Sequence, residues 1–234
     1  MISNLNKIKK SFNLSLNRGL TLIELMVVIG IFMIISGVVL FNYGNFSSSV
    51  SLQNLTENIA LSIRKAQSFA IGARGIDTGT DRDFTKSYGM HFSVNESPIG
   101  TLSGSSRSFL MFSIPANTPD LNKRYIDTST ESSVCSTGND CVEIFTINTI
   151  DKIDAINAKI GITDLPTSAN SSIDIIFTRP DPRAYLCYRN NLGDACTLNV
   201  SSVDIKVSNG RSEGDATRKT KIISVQNTGQ ISIQ

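Results

Sequence analysis

The chain has 234 residues, 40% of them apolar and 18% charged, enough for one sizeable domain and an appendage. Its formal net charge of +2 is a property of the first 19 residues, where Lys7, Lys9, Lys10 and Arg18 stand without an acid. The remainder holds 18 basic against 20 acidic residues, a net of −2 that excludes any global attraction to nucleic acid.

Between Leu20 and Phe41 lie 22 residues with one charge, Glu24. As a helix this run would span roughly 33 Å, about the hydrocarbon thickness of a bilayer. No second run of that kind occurs, so the chain is expected to cross a membrane once. The basic flank predicts a cytoplasmic N-terminus, with residues beyond about 44 outside. A cleaved secretory signal fits poorly, because the run is long and passes into Asn42-Tyr43-Gly44-Asn45 without an A-x-A-like site. An uncleaved signal anchor fits the length and charges but leaves Glu24 unexplained, since a carboxylate in a membrane helix costs a few kcal/mol unless it finds a partner.

Arg18-Gly19-Leu20-Thr21-Leu22-Ile23-Glu24-Leu25-Met26-Val27-Val28 resembles the processing site of type IV prepilins and type II secretion pseudopilins. The resemblance implies cleavage between Gly19 and Leu20 by a membrane peptidase and N-methylation of Leu20, where the family usually carries Phe or Met. Residues 1–19 would then be a leader and 20–43 a transmembrane and assembly helix. Glu24 would become the fifth residue, about 6 Å of helix rise from the new amine. It would pair with the amine of a neighbouring subunit during filament assembly, a contact that fixes register because an unpaired buried carboxylate is heavily penalised. Gly30, Ser36, Gly37 and Gly44 are small enough for close helix approach. Phe41 stands where many major pilins carry a kinking proline, which leans toward a minor subunit.

After Ser47-Ser48-Ser49, which offer capping hydroxyls, Leu52, Leu55, Ile59, Ile63, Ala66 and Ala70 recur at helical spacing. The pattern predicts an amphipathic continuation over 44–75, ending near Arg74, its stripe facing the core of the following domain. From about residue 85 the period changes to two. Expected strands are Ser87–Val94, Ser108–Ile114, Val142–Asn148, Ser172–Thr178, Ala184–Tyr188, Val203–Ser208, Lys221–Gln226 and Gln230–Ile233. Segments 95–107 and 115–134 read as irregular. The fold class is α+β and pilin-like, a long N-terminal helix against an antiparallel β-rich globular domain over 76–234.

Leu61–Ala70 resembles the second helix of the GspH/FimT group of minor pseudopilins, and Ile222–Ser232 resembles its closing strands and Gly turn. Nothing in 115–165 matches. Some FimT-like members bind DNA through a C-terminal Gly-Arg-x-Arg element. Here that stretch is Gly229-Gln230-Ile231-Ser232, without either arginine. Arg211, Arg218, Lys219 and Lys221 form a basic cluster, but Glu213 and Asp215 are interleaved, so a solvated loop is favoured over a phosphate site.

Cys135/Cys141 and Cys187/Cys196 form two local pairs. In an exported domain they favour disulfides over zinc, which prefers C-x-x-C-type spacing. Four cysteines allow three connectivities, and the short loops favour local pairing. Enzyme chemistry finds little support. His91 is the one histidine and lies in a strand-like run. Asp77-Thr78-Gly79-Thr80 echoes an aspartic-protease tetrapeptide but has no second copy, and that chemistry needs two carboxylates. Asp77, Asp81 and Asp83 could approach a Ca²⁺ ion, yet lack a full oxygen-ligand set. No catalytic residue, metal or cofactor is expected. The expected function is a structural minor subunit of a type II secretion pseudopilus or type IV pilus. Its partners would be other pilin subunits, prepilin peptidase, the inner-membrane assembly platform and, before assembly, lipid. A FimT-like subunit displaying a module for DNA or another ligand is the alternative.

Overall fold

A computed structural model describes residues 20–72, 74–77, 82–95, 105–115, 118–119, 123–125, 135, 141–191, 194–197 and 199–234. The irregular segments expected at 95–107 and 115–134 fall largely outside the described residues, as do residues 78–81 and the side chains of Asp77 and Asp83. Helix α1 is Leu22–Ile71. Packing divides the chain into two units, Met1–Gly44 and Asn45–Gln234, with the boundary inside α1.

In the second unit, α1 runs through Ser47-Ser48-Ser49, so these serines do not cap a new helix. The hydroxyls of Ser48 and Ser49 serve tertiary contacts instead. Asn209 Nδ2 donates to Ser48 Oγ at 3.1 Å, and Lys219 Nζ donates to Ser49 Oγ. All six positions of the apolar stripe, from Leu52 to Ala70, are buried. Each large aliphatic side chain so covered contributes about 1.5–3 kcal/mol of transfer free energy. The helix stops at Ile71, where Gly72 N still reaches Ser68 O at 2.8 Å, three residues before the expected end at Arg74.

Two antiparallel five-stranded sheets follow. The first has the order β5-β4-β3-β8-β9, formed by β3 (Lys86–Ser93), β4 (Ser108–Pro115), β5 (Cys141–Thr146), β8 (Ser172–Thr178) and β9 (Asp181–Arg189). The second has the order β12-β11-β10-β6-β7, from β6 (Lys152–Ile160), β7 (Thr163–Asp164), β10 (Ser202–Ser208), β11 (Thr220–Gln226) and β12 (Ile231–Ile233). A two-residue pair, β1 (Ile76–Asp77) and β2 (Arg82–Asp83), stands apart. One core cluster joins the α1 stripe to both sheets. Tyr88, Met90, Phe92, Ile173 and Ile175 come from the first sheet, and Ile153, Ile156, Val203, Ile205 and Val225 from the second. The α+β arrangement expected from the sequence is therefore present.

All eight expected strands occur, most shifted by a residue or more at their ends, and β8 has the expected bounds. The sequence did not reveal β6. Its partner β10 pairs Val207 with Ile153 but Lys206 with Ala155, so Asp154 is an extra residue in a β-bulge. The bulge spaces Ile153 and Ile156 by three, which breaks the alternation that marks a strand, and two alanines weaken it further.

The outer face of the first sheet is partly apolar. Leu110, Phe112, Ile114 and Ile176 pack there with Tyr125 and Cys141 in a second, smaller cluster. This is the side on which both disulfides lie in register, because Cys141 pairs with Phe112 and Cys187 with Asp174.

Candidate functional site

The start of α1 is built by two local contacts. Glu24 N donates to Thr21 Oγ1 at 3.3 Å, and Leu25 N donates to Thr21 O at 3.1 Å. Thr21 is therefore the N-cap and Glu24 occupies the third helical position, the T-x-x-E spacing of a capping box. That signal was legible in the sequence and was missed. A carboxylate in the first turn also complements the positive end of the helix dipole. Glu24 thus has a local reason to sit at a helix start, besides any role in assembly.

From Leu22 to Phe41, 20 residues form a helix long and apolar enough to cross a membrane, and none of it is buried within the chain. Leu22, Phe32 and Leu40 are 76%, 69% and 73% exposed. So much uncovered apolar surface needs lipid or other helices around it. A Cβ placed on Gly30, Gly37 or Gly44 meets nothing within 4 Å, so packing inside the chain does not require these glycines.

Elsewhere the sequence candidates are drawn into structural roles. The two disulfides join Cys135 to Cys141 and Cys187 to Cys196. His91 is buried, with Nδ1 2.5 Å from Asp174 Oδ1. The other oxygen of Asp174 accepts from Arg189 Nη2 at 3.1 Å and from Tyr125 N at 3.2 Å. Three strands and a loop thus converge on one carboxylate. Among the described residues no group of three or more His, Cys, Asp or Glu is placed to hold a metal ion.

The two arginines of the basic cluster face partners of opposite charge. Arg218 Nη2 lies 2.5 Å from Asp154 Oδ2, with Nη1 3.7 Å from Glu213 Oε1. Arg211 Nη1 is 3.6 Å from Asp215 Oδ2, and Lys219 is engaged by Ser49. Hydrogen bonds from the Thr217 hydroxyl and amide, together with Arg211, hold the Asp215 carboxyl below its usual range. Gly229 closes the β11–β12 turn with φ +86°, and a Cβ there would lie 2.3 Å from Pro182 O.

The family described as "Prokaryotic N-terminal methylation motif" matches residues 14–40, which include Gly19, Leu20, Thr21 and Glu24. No curated protein and no solved structure matches the chain. The motif marks a type IV pilin-like substrate of prepilin peptidase and points to assembly with other pilins, and the apolar helix fits a membrane-anchored pilin. That class is one of structural subunits.

Proposed function

We propose that this chain is a minor subunit of a type II secretion pseudopilus or a type IV pilus. Prepilin peptidase cuts it between Gly19 and Leu20, Leu20 is N-methylated, and the mature chain enters a filament through the helix that begins there. The observation that carries this is the coincidence of the methylation motif with 20 apolar helical residues that nothing in the chain covers. The basic leader holds the N-terminus in the cytoplasm, and the domain from Asn45 onward lies outside the inner membrane. Glu24 is the docking key. In lipid its carboxylate is costly, and the methylated amine of a neighbour offers the compensating charge.

The FimT-like alternative needs several cations converging on one surface. Arg211 and Arg218 face acids, and Gln230 and Ser232 stand where that element carries arginine. These features favour the structural subunit.

Mass spectrometry of the protein co-expressed with prepilin peptidase tests the processing. The expected N-terminus is methylated Leu20, and an intact leader or a cut beyond residue 41 would overturn the proposal. In cells carrying the assembly machinery, Glu24→Ala should be processed and remain in the membrane while largely failing to enter filaments. Normal incorporation would remove Glu24 from its role without touching the cleavage result.

A further inference from the structure

Strand β5 forms one edge of the first sheet, and no strand pairs with its outer side among the described residues. Ile147 N donates to Arg107 O at 2.9 Å, and the register continues with Phe109 opposite Phe145. In an antiparallel ladder hydrogen-bonded pairs alternate, so Ile144 and Thr146 turn their N–H and C=O groups away from β4. Among the described residues neither has a backbone partner on that side. A groove of about 440 Å³ runs beside this edge, between β5 and α1. Leu55, Leu61, Phe109, Phe145 and Ile147 supply its apolar lining. Leu61 is 57% exposed on the helical wall.

We propose that this groove binds an extended segment of a partner protein as an added β-strand. Open backbone groups on a strand edge beside a helix provide main-chain hydrogen bonds, while the groove takes alternate side chains. Phe145 points to the core side, so a residue opposite it in the added strand directs its side chain between β5 and α1. The next residue, opposite Ile144 or Thr146, makes the main-chain bonds and faces outward. Charge defines the occupant further. Among the described residues Lys65 is the one charged residue in the lining, and Glu143 already neutralises it at 2.6 Å. The Phe69 and Phe145 rings lie 5.7 and 5.6 Å from the same ammonium. The groove therefore selects uncharged, apolar side chains at every second position. This inference does not depend on the filament role.

The full chain in lipid nanodiscs, probed with the peptide Lys-Thr-Val-Thr-Val-Thr-Lys, provides the test by amide hydrogen exchange. At peptide near ten times its dissociation constant, the Ile144 and Thr146 amides should exchange ~tenfold more slowly. A peptide with Asp in place of both Val residues should give no protection. Leu61→Asp changes an exposed side chain and should abolish the effect while the far-UV circular dichroism is retained. Thr146→Pro removes one outward N–H and should do the same if the first variant fails to fold. Unchanged exchange at both amides with ~1 mM peptide, or equal protection by the Asp peptide, would overturn the proposal. Protection that rises with the protein's own concentration, without peptide, would also overturn it and identify a second copy as the occupant.

Discussion

Arg218 Nη2 meets Asp154 Oδ2 at 2.5 Å across 64 residues of sequence, and the bulge in β6 supplies the carboxylate. Both side chains are 13% exposed, so the pair is largely withdrawn from solvent. Asp154 also receives Lys206 at 3.8 Å and the Ser208 hydroxyl at 3.4 Å. A cation expected on a solvated loop is instead part of the sheet's own support.

Removing the Asp154 charge should therefore cost more than removing that of Glu213, which lies 3.7 Å from Arg218 but is 92% exposed. Asp154→Asn is expected to lower unfolding free energy by about 2 kcal/mol. Glu213→Gln should change it by less than about 0.5 kcal/mol. Urea unfolding of the two variants compares them directly, and equal effects would remove the distinction.

The carboxylate of Asp174 should be among the most sensitive positions in the globular unit. Asp174→Ala leaves Arg189 and His91 buried without their acceptor, for an expected loss of about 3–5 kcal/mol. A triple variant, His91→Phe, Asp174→Leu and Arg189→Met, should recover much of that loss. The penalty lies in the uncompensated charge more than in the pair's net worth. A triple variant no more stable than Asp174→Ala would contradict this account.

Gly229 and Gly161 separate two reasons for a glycine. Both have positive φ, +86° and +62°, but a Cβ on Gly161 meets open space while one on Gly229 meets Pro182 O and Gln67 Nε2 at 2.3 and 2.9 Å. Gly161→Ala should cost about 1 kcal/mol of backbone strain. Gly229→Ala should cost at least about twice that, because the turn must also move. Thermal unfolding of both variants tests the ordering.

Two exposed aspartates should titrate below the ordinary carboxylate value of about 3.9. The Arg183 side chain and amide lower Asp181, and the Thr217 hydroxyl and amide lower Asp215. A folded-state pKa below the unfolded one means that the unfolded chain binds more protons across the interval between them. The stabilising contribution is thus present above the unfolded value and is lost as pH falls through the folded one. Carbon-detected NMR titration should find both values depressed. Arg183→Gln should return Asp181 toward the ordinary range and leave Asp215 unchanged.

Much of the architecture was legible because the signals are local. Membrane-length apolar patterning, the helical spacing from Leu52 to Ala70 and the alternation of eight strands each follow from one segment's own residues. Thr21 and Glu24 likewise declare a helix start by spacing alone. β6 was hidden because its bulge corrupts the period, and only pairing with β10 reveals that Asp154 is the extra residue.

By itself, then, the sequence determined an apolar helix with one carboxylate at its start, and with it the methylation motif. Those features depend on order and spacing along a single segment. Tertiary structure alone decided the fate of the polar residues. It brought His91, Asp174 and Arg189 to one buried point, set Arg218 against Asp154, and placed β5 at the end of its sheet among the described residues. Charge in a sequence is only an inventory. Whether a cation is solvated, paired or free to bind depends on which distant strand folds beside it.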